Sequence, residues 1–291
     1  MQLKIIVGCI VALSMIFAAY ANETVVKNGE KIAFVGDSIT QFGNRPDGFI
    51  HLVMDGLKKN GITAKAIPAG VGGNKSNDIL KRLPGILKKK PDWMVLQCGT
   101  NDVGHGVRGV KLKDYRKNIA MILDAAQSAG VRVMLVTPSM HTENPGSANN
   151  RKLEGYCDFI RSQAVKRRLL LADWNKAEHE AIRKRAGIRG LKLTIDNLHL
   201  NGYGNRYLAM TILAAFGVPE KKIETLIPDW DKIPSMTPIL NAWHNPKYKI
   251  SIRDYEILYR IASDRNISVE QLVKYLVAKR IEEEKRKSEK K

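Results

Sequence analysis

The sequence predicts an α/β protein: a three-layer α/β/α domain with a mainly parallel sheet, followed by a C-terminal helical extension. Three observations carry this reading. Between residues 31 and about 217, short apolar runs alternate with longer amphipathic ones, the order expected of strands joined by right-handed crossover helices. Trp93–Gln97 (WMVLQ) reads as a continuous apolar strand of the kind buried on both faces. From Val218 the periodicity fades, and Pro219, Pro228, Pro234, Pro238 and Pro246 punctuate the chain before two amphipathic segments resume.

Each element has its own signal. Lys31–Gly36 (KIAFVG) is an apolar strand. Gly48–Lys59 places Ile50, Val53, Met54 and Leu57 on one helical face. Thr63–Pro68 is a short strand. Ser76 opens a helix, with Asn77 and Asp78 in its first turn, that runs to about Lys90; Pro84 inside it should kink or split it. Tyr115–Ala129 is a helix closed by Gly130, and Val131–Val136 (VRVMLV) is a strand. Asn150–Lys166, Leu169–Ala172, Lys176–Arg185 and Gly202–Phe216 read as helix, strand, helix and helix. The domain is therefore set at residues 22–217, with an extended strap over 218–250 and a helical extension over 251–291. In the extension, Ile252–Ser263 and Ser268–Glu284 are helices, and Ser268 with Gln271 forms a capping box. Trp93 is expected in the core, with Trp230 and Trp243 pinning the strap.

The N-terminus points to export. Lys4 precedes an apolar run, Ile5 to Phe17, and then Ala19-Tyr20-Ala21, the pattern of a secretory signal cleaved after Ala21. The run is shorter than the ~20 residues a membrane span needs, so no stable membrane insertion is expected after cleavage, and the protein should be secreted or periplasmic. Cys98 and Cys157 then remain, expected as buried free thiols, although an oxidising compartment would permit a bridge. The net charge is +19, and residues 1–21 contain only Lys4, so cleavage leaves +18. Such a charge attracts polyanions. Export disfavours nucleic acid among them and leaves anionic lipid and acidic polysaccharide, with simple solubility as the alternative.

Three short blocks stand where chemistry can occur, each beside a strand end or a helix start. They are Gly36-Asp37-Ser38-Ile39-Thr40, Gly99-Thr100-Asn101-Asp102, and Asp196-Asn197-Leu198-His199, with Gly70-Val71-Gly72-Gly73-Asn74 between the first two. Ester hydrolysis needs an exposed serine hydroxyl, a base that titrates near neutrality, and a carboxylate that holds the base in one tautomer. Ser38, His199 and Asp196 supply these, the last pair within one turn of chain. An oxyanion also needs fixed donors. The N–H of Ser38, a glycine N–H among Gly70, Gly72 and Gly73 (Gly73 preferred), and the amide of Asn101 supply them. Taken singly, Ser38 and Thr40 also suit helix caps, Asn101 and Asp102 a turn, and Asp196 and His199 a surface ion pair. Asp37, Asn74, Asp102, His105 and His141 are further candidates for contact with substrate, as loops after strand ends carry such contacts. His51, His179 and His244 are expected on helix faces or the surface. No histidine pair has metal-ligand spacing, so neither metal nor cofactor is expected.

These blocks, in this order, resemble the SGNH hydrolases, the GDSL esterase/lipase family. Its Ser, Gly, Asn and His would be Ser38 in GDSIT, Gly73 in GVGGN, Asn101 in GTND and His199 in DNLH, over roughly residues 31–217. The resemblance implies a flavodoxin-like fold, a Ser-His-Asp triad and ester or thioester hydrolysis without a metal. Its members include lipases, lysophospholipases, thioesterases and polysaccharide acetylesterases. Export, polar glycine-rich loops at Gly104–Gly109 and His141–Asn150, and positive charge favour O-acetyl removal from a carbohydrate, acidic glycans included. A lipase or thioesterase, and a non-catalytic glycan- or surface-binding protein on the same fold, remain the alternatives.

Overall fold

A computed structural model describes residues 24–186, 192–235 and 250–288 of the 291-residue chain. The expected signal segment, Trp243, His244 and residues 236–249 of the expected strap lie outside these residues. Strands β1 (Lys31–Gly36), β2 (Lys65–Gly70), β3 (Trp93–Gln97), β4 (Arg132–Val136) and β5 (Leu170–Ala172) form one parallel sheet in the order β2-β1-β3-β4-β5. This is the flavodoxin-like order, in which the chain reverses direction across the sheet between β1 and β3.

Alternation along each strand builds two cores. Ile32 and Phe34 face one side, with Trp93, Val95, Met134 and Val136. They pack on α2 (Phe49–Lys59), α7 (Trp174–Lys184) and α8 (Gly202–Ala215). Ala33 and Val35 face the other side, with Met94, Leu96, Val133 and Leu135, against α3 (Ser76–Leu87), α5 (Leu112–Ser128) and α6 (Ala148–Arg167). Burial of each large apolar side chain contributes about 1.5–3 kcal/mol, which is why the strands read as unbroken apolar runs. Two short helices, α1 (Ser38–Phe42) and α4 (Thr100–Gly104), follow β1 and β3 directly. Cys98 and Cys157 are free and buried in the second core, where burial pushes the Cys157 thiol up to about 12.

The structure corrects four expectations. Strand β2 runs through Pro68 to Gly70 instead of ending at the proline. It is an edge strand, where a missing N–H is tolerated. Pro84 does not split α3, because it sits on the exposed side while Ile79, Leu83 and Ile86 hold the other side in the core. That helix ends at Leu87, short of Lys90. The strap is not extended from its start: α9 (Glu220–Glu224) and α10 (Ile227–Trp230) occupy its first part. Pro219 is the N-cap of α9 and Pro228 lies in the first turn of α10, positions where proline starts helices. Trp230 is fully buried, and its Nε1 donates to Asp55 at 2.8 Å.

At the end of the strap's first described part, β6 (Pro234–Ser235) pairs antiparallel with β7 (Ile250–Ser251). Helices α11 (Ile252–Asp264) and α12 (Val269–Ser288) follow. The capping box forms as read: Ser268 N donates to Gln271 Oε1 at 2.9 Å and Gln271 N to Ser268 Oγ at 3.1 Å.

One buried acid makes stability depend on pH. Glu178 of α7 is 1 % exposed and receives the N–H of Met140 at 2.8 Å. Burial, with a smaller repulsion from Glu143, pushes its carboxyl up from 4.5 to about 8. The folded chain therefore holds this proton more tightly than the unfolded chain does. The resulting stability is complete below about pH 4.5 and is lost as pH rises through about 8. Glu178→Gln should flatten this slope: its thermal midpoint, compared with the parent's by calorimetry from pH 5 to 8, should fall less.

Candidate active site

The site lies at the carboxyl end of the sheet, at the switch point. After β1, Asp37 accepts the N–H of Ile39 at 2.9 Å and caps α1, which makes Ser38 the first helical residue. Asp37 is buried, and burial pushes its carboxyl up to about 6 against the pull of that N–H. It is a structural cap and faces no solvent-filled space. Ser38, by contrast, is half-buried, with its hydroxyl at the crevice.

The histidine arrives from a loop before α8. Ser38 Oγ lies 2.8 Å from His199 Nε2, and His199 Nδ1 lies 2.7 Å from Asp196 Oδ2. The other oxygen, Asp196 Oδ1, accepts the N–H groups of Leu198 at 3.0 Å and His199 at 2.7 Å. Burial raises the Asp196 carboxyl, but the bonds from His199 and Leu198 outweigh it and hold the group below its usual value. An ionised carboxylate only accepts, so Nδ1 carries the proton and the Nε2 lone pair faces the serine hydroxyl. Asn197 takes a positive φ of 76°, which asparagine tolerates and which closes the turn between the two residues. The Phe42 ring, 5.0 Å from the imidazole between centroids, supports it from α1. Arg45 stacks on the same ring with Cζ 4.1 Å from its centroid, and no carboxylate among the described residues pairs with it.

The second block approaches the serine through glycine. A Cβ at Gly72 would stand 3.8 Å from the Ser38 Cβ and 3.0 Å from Gln41 Oε1. The Gly72 N–H is committed to that Gln41 oxygen at 2.8 Å. Gly70 is the last residue of β2, with the α1 backbone against it. Gly73 follows at φ +75°, exposed, with its N–H bonded to none of the described residues. Between Gly72 and Gly73, Gly73 is thus the one whose N–H is not already bonded to a described residue. Asn101 Nδ2 gives one hydrogen to Asn74 O at 3.1 Å and keeps the other. Asn74 is itself held, its Oδ1 receiving Arg82 Nε at 2.7 Å while Arg82 Nη2 reaches Gly36 O at 2.8 Å. Arg82 therefore ties the first block to the second, and Asn74 ties the second to the third.

Asp102 does not face the crevice. It is 1 % exposed and accepts Ser76 Oγ at 2.5 Å and Ser76 N at 3.1 Å, joining the start of α3 to α4. Burial raises its carboxyl against these bonds. His105 and His141 are brought together from the loops after β3 and β4. The His141 ring rests on Gly104, its Nδ1 is 3.3 Å from Asn149 Nδ2, and burial beside His105 pushes its pKa down. Gln41, Phe42, Arg45, Arg82 and Glu143 belong to the surroundings of the site and escaped the sequence reading. Only the Phe42–Arg45 pair, three residues apart just after the first block, carried a local signal.

Comparison with known proteins agrees with this architecture. A family model described as GDSL-like Lipase/Acylhydrolase family matches residues 34–207. An acetylxylan esterase of Geobacillus stearothermophilus is 24% identical over 215 residues, covering 66% of this chain and 96% of that protein. The esterase TesA of Pseudomonas aeruginosa is 28% identical over 138 residues, 47% of this chain and 64% of that protein. Among solved structures, an acetyl xylan esterase named AlAXEase superposes with a TM-score of 0.60 at 34% identity, covering 64% of this chain and 98% of that one.

The buried carboxylate of Asp102 should matter first to folding. Asp102→Ala leaves the Ser76 N–H buried without an acceptor, which costs about 1–3 kcal/mol. Urea titration should show that loss as a lower midpoint with an unchanged slope.

Proposed function

The chain belongs to the GDSL-like lipase/acylhydrolase family and is a carboxylic-ester hydrolase, and on that premise we propose that it is an exported serine O-acetylesterase acting on a carbohydrate. The observation that carries the mechanism is the unbroken hydrogen-bond chain Asp196–His199–Ser38, with links of 2.7 and 2.8 Å. Ser38 Oγ attacks the ester carbonyl while its proton passes to His199 Nε2, and Asp196 stabilises the imidazolium. The N–H groups of Ser38 and Gly73 and the remaining N–H of the Asn101 amide receive the oxyanion. His199 then protonates the departing sugar oxygen, leaving an acyl-enzyme. Water, losing its proton to His199, attacks this ester and releases acetate and the free serine.

Three features support an acetylated carbohydrate. Similar proteins include ones named acetylxylan esterases. The loops at residues 104–109 and 141–150 are polar and glycine-rich, with no apolar cover for a fatty chain. Arg45, paired with no carboxylate among the described residues and stacked on the ring that supports His199, favours an acidic substituent near the ester, such as a uronic acid carboxylate. Export rests on the pattern of residues 1–21.

Protein lacking residues 1–21 should hydrolyse p-nitrophenyl acetate faster than the octanoate by about tenfold or more, the scale on which a pocket discriminates chain length. Ser38→Ala should lower kcat by ~10⁴-fold or more, and the parent should release acetate from acetylated xylan. Octanoate preference would move the substrate to lipids. Arg45 has its own check. The parent should prefer 4-acetoxybenzoate to the neutral 4-acetoxybenzamide, and Arg45→Gln should bring the ratio of kcat/KM values near one. An unchanged ratio removes Arg45 from recognition.

A further inference from the structure

We propose that Glu143 is a positioning residue for hydrolysis: its carboxylate fixes the base of the loop that presents Asp196 and His199. The inference rests on the esterase reading above and adds a group that lies outside the catalytic hydrogen-bond chain.

Glu143 comes from the loop after β4, far in sequence from the residues it holds. Its Oε1 accepts the N–H of Leu193, the N–H of Thr194 and the Thr194 hydroxyl, each at 2.7 Å. Its Oε2 accepts the N–H of Lys192 at 2.5 Å. Four donors from three consecutive residues converge on one carboxylate. Among the described residues these four donors, and no cation within ion-pair distance, answer its charge.

The opposite edge of the same stretch is equally committed. Asn201 N donates to Leu193 O at 2.9 Å, and Asn201 Nδ2 reaches Lys192 O and Thr194 O at 3.4 and 3.3 Å. Thr194 pairs with Leu200 as an antiparallel bridge, and Ile195 N donates to His199 O at 2.8 Å. Residues 194–200 thus form a closed loop whose base cannot slide while both edges are bonded. Helix α8 leaves no slack behind it, since a Cβ at Gly204 would stand 2.2 Å from Leu193 O. Asp196 is two residues beyond the last one that Glu143 holds, and His199 five.

The clamp is half-buried and has charged and phenolic neighbours. Glu178 of α7 and Tyr255 and Tyr259 of α11 all feel the Glu143 charge, which opposes their ionisation. Helix α11 is docked there by Arg185, which stacks on Tyr203 at 4.1 Å, lies 5.9 Å from the Tyr259 ring and sits 3.8 Å from Glu256. Hydrogen bonds to a charged acceptor are strongest where water is excluded. The C-terminal extension therefore stands close to the half-buried clamp that acts on the hydrolytic loop.

The test uses full-length mature protein and p-nitrophenyl acetate, with Ser38→Ala alongside. Glu143→Ala should lower kcat by ~10²-fold, the scale of a misplacement of about 1 Å, with KM within about threefold and cooperative thermal unfolding retained. Glu143→Gln, which keeps one acceptor, should recover part of the loss, and Thr194→Val, which removes one donor, should lose less than Glu143→Ala. Fluorophosphonate labelling of Ser38 should slow in step with kcat. Should Glu143→Ala fail to fold, the glutamine and valine variants decide by the same split. Ser38-dependent turnover whose kcat is indifferent to all three substitutions overturns the positioning role and leaves the esterase reading intact. So does a loss explained wholly by fewer titratable active sites. Turnover that survives Ser38→Ala overturns both.

Discussion

The reversal of strand order between β1 and β3 is the constraint on which the site depends. Neighbouring parallel strands at that point send their connections to opposite faces of the sheet, so the loops leaving them part and a crevice opens between. Ser38 stands at the end of β1 and Asn101 at the end of β3, which places them on either side of that opening. The glycine block leaves the end of β2 beside them. The histidine loop arrives later in the chain and has to be brought in by side-chain bonds rather than by a strand.

Carboxylates do most of that tying, and their surroundings separate their roles. Asp37 and Asp102 are buried on backbone and hydroxyl donors, and burial raises both. They fix loop shape. Asp196 is less buried, receives an imidazole N–H as well as two backbone ones, and is held low. It is the acid suited to stabilising a positive ring. Among the described residues Glu143 collects backbone and hydroxyl donors, and it is suited to holding chain in place. The same functional group thus serves as cap, brace, counter-charge and clamp within one crevice.

The fold was legible because burial on both sheet faces writes itself into sequence as apolar runs, and the runs at Lys31–Gly36, Trp93–Gln97 and Arg132–Val136 match observed strands closely. Pro68 and Pro84 misled because proline's effect depends on its side of the element: one occupies a free sheet edge, the other a solvated helix face. In the site, Ser38, Asn101, Asp196 and His199 were readable because each sits in a short block tied to an element end. Asp102 shared such a block yet points into the protein, since its partner Ser76 is 26 residues away. Arg82 and Glu143 were illegible for the same reason. Their partners lie 46 and up to 51 residues off, and no local pattern records a contact made only when the chain has folded.

The proline in β2 has a consequence beyond the strand itself. An open parallel sheet presents two rows of backbone groups to any chain that could add to it. On one side β2 interrupts its row at Pro68, which offers no N–H, and carries the exposed lysine Lys65. On the other side β5 is only three residues long, too short to guide a newcomer into register. The domain is thereby protected from growing by strand addition, and its sheet stops at five.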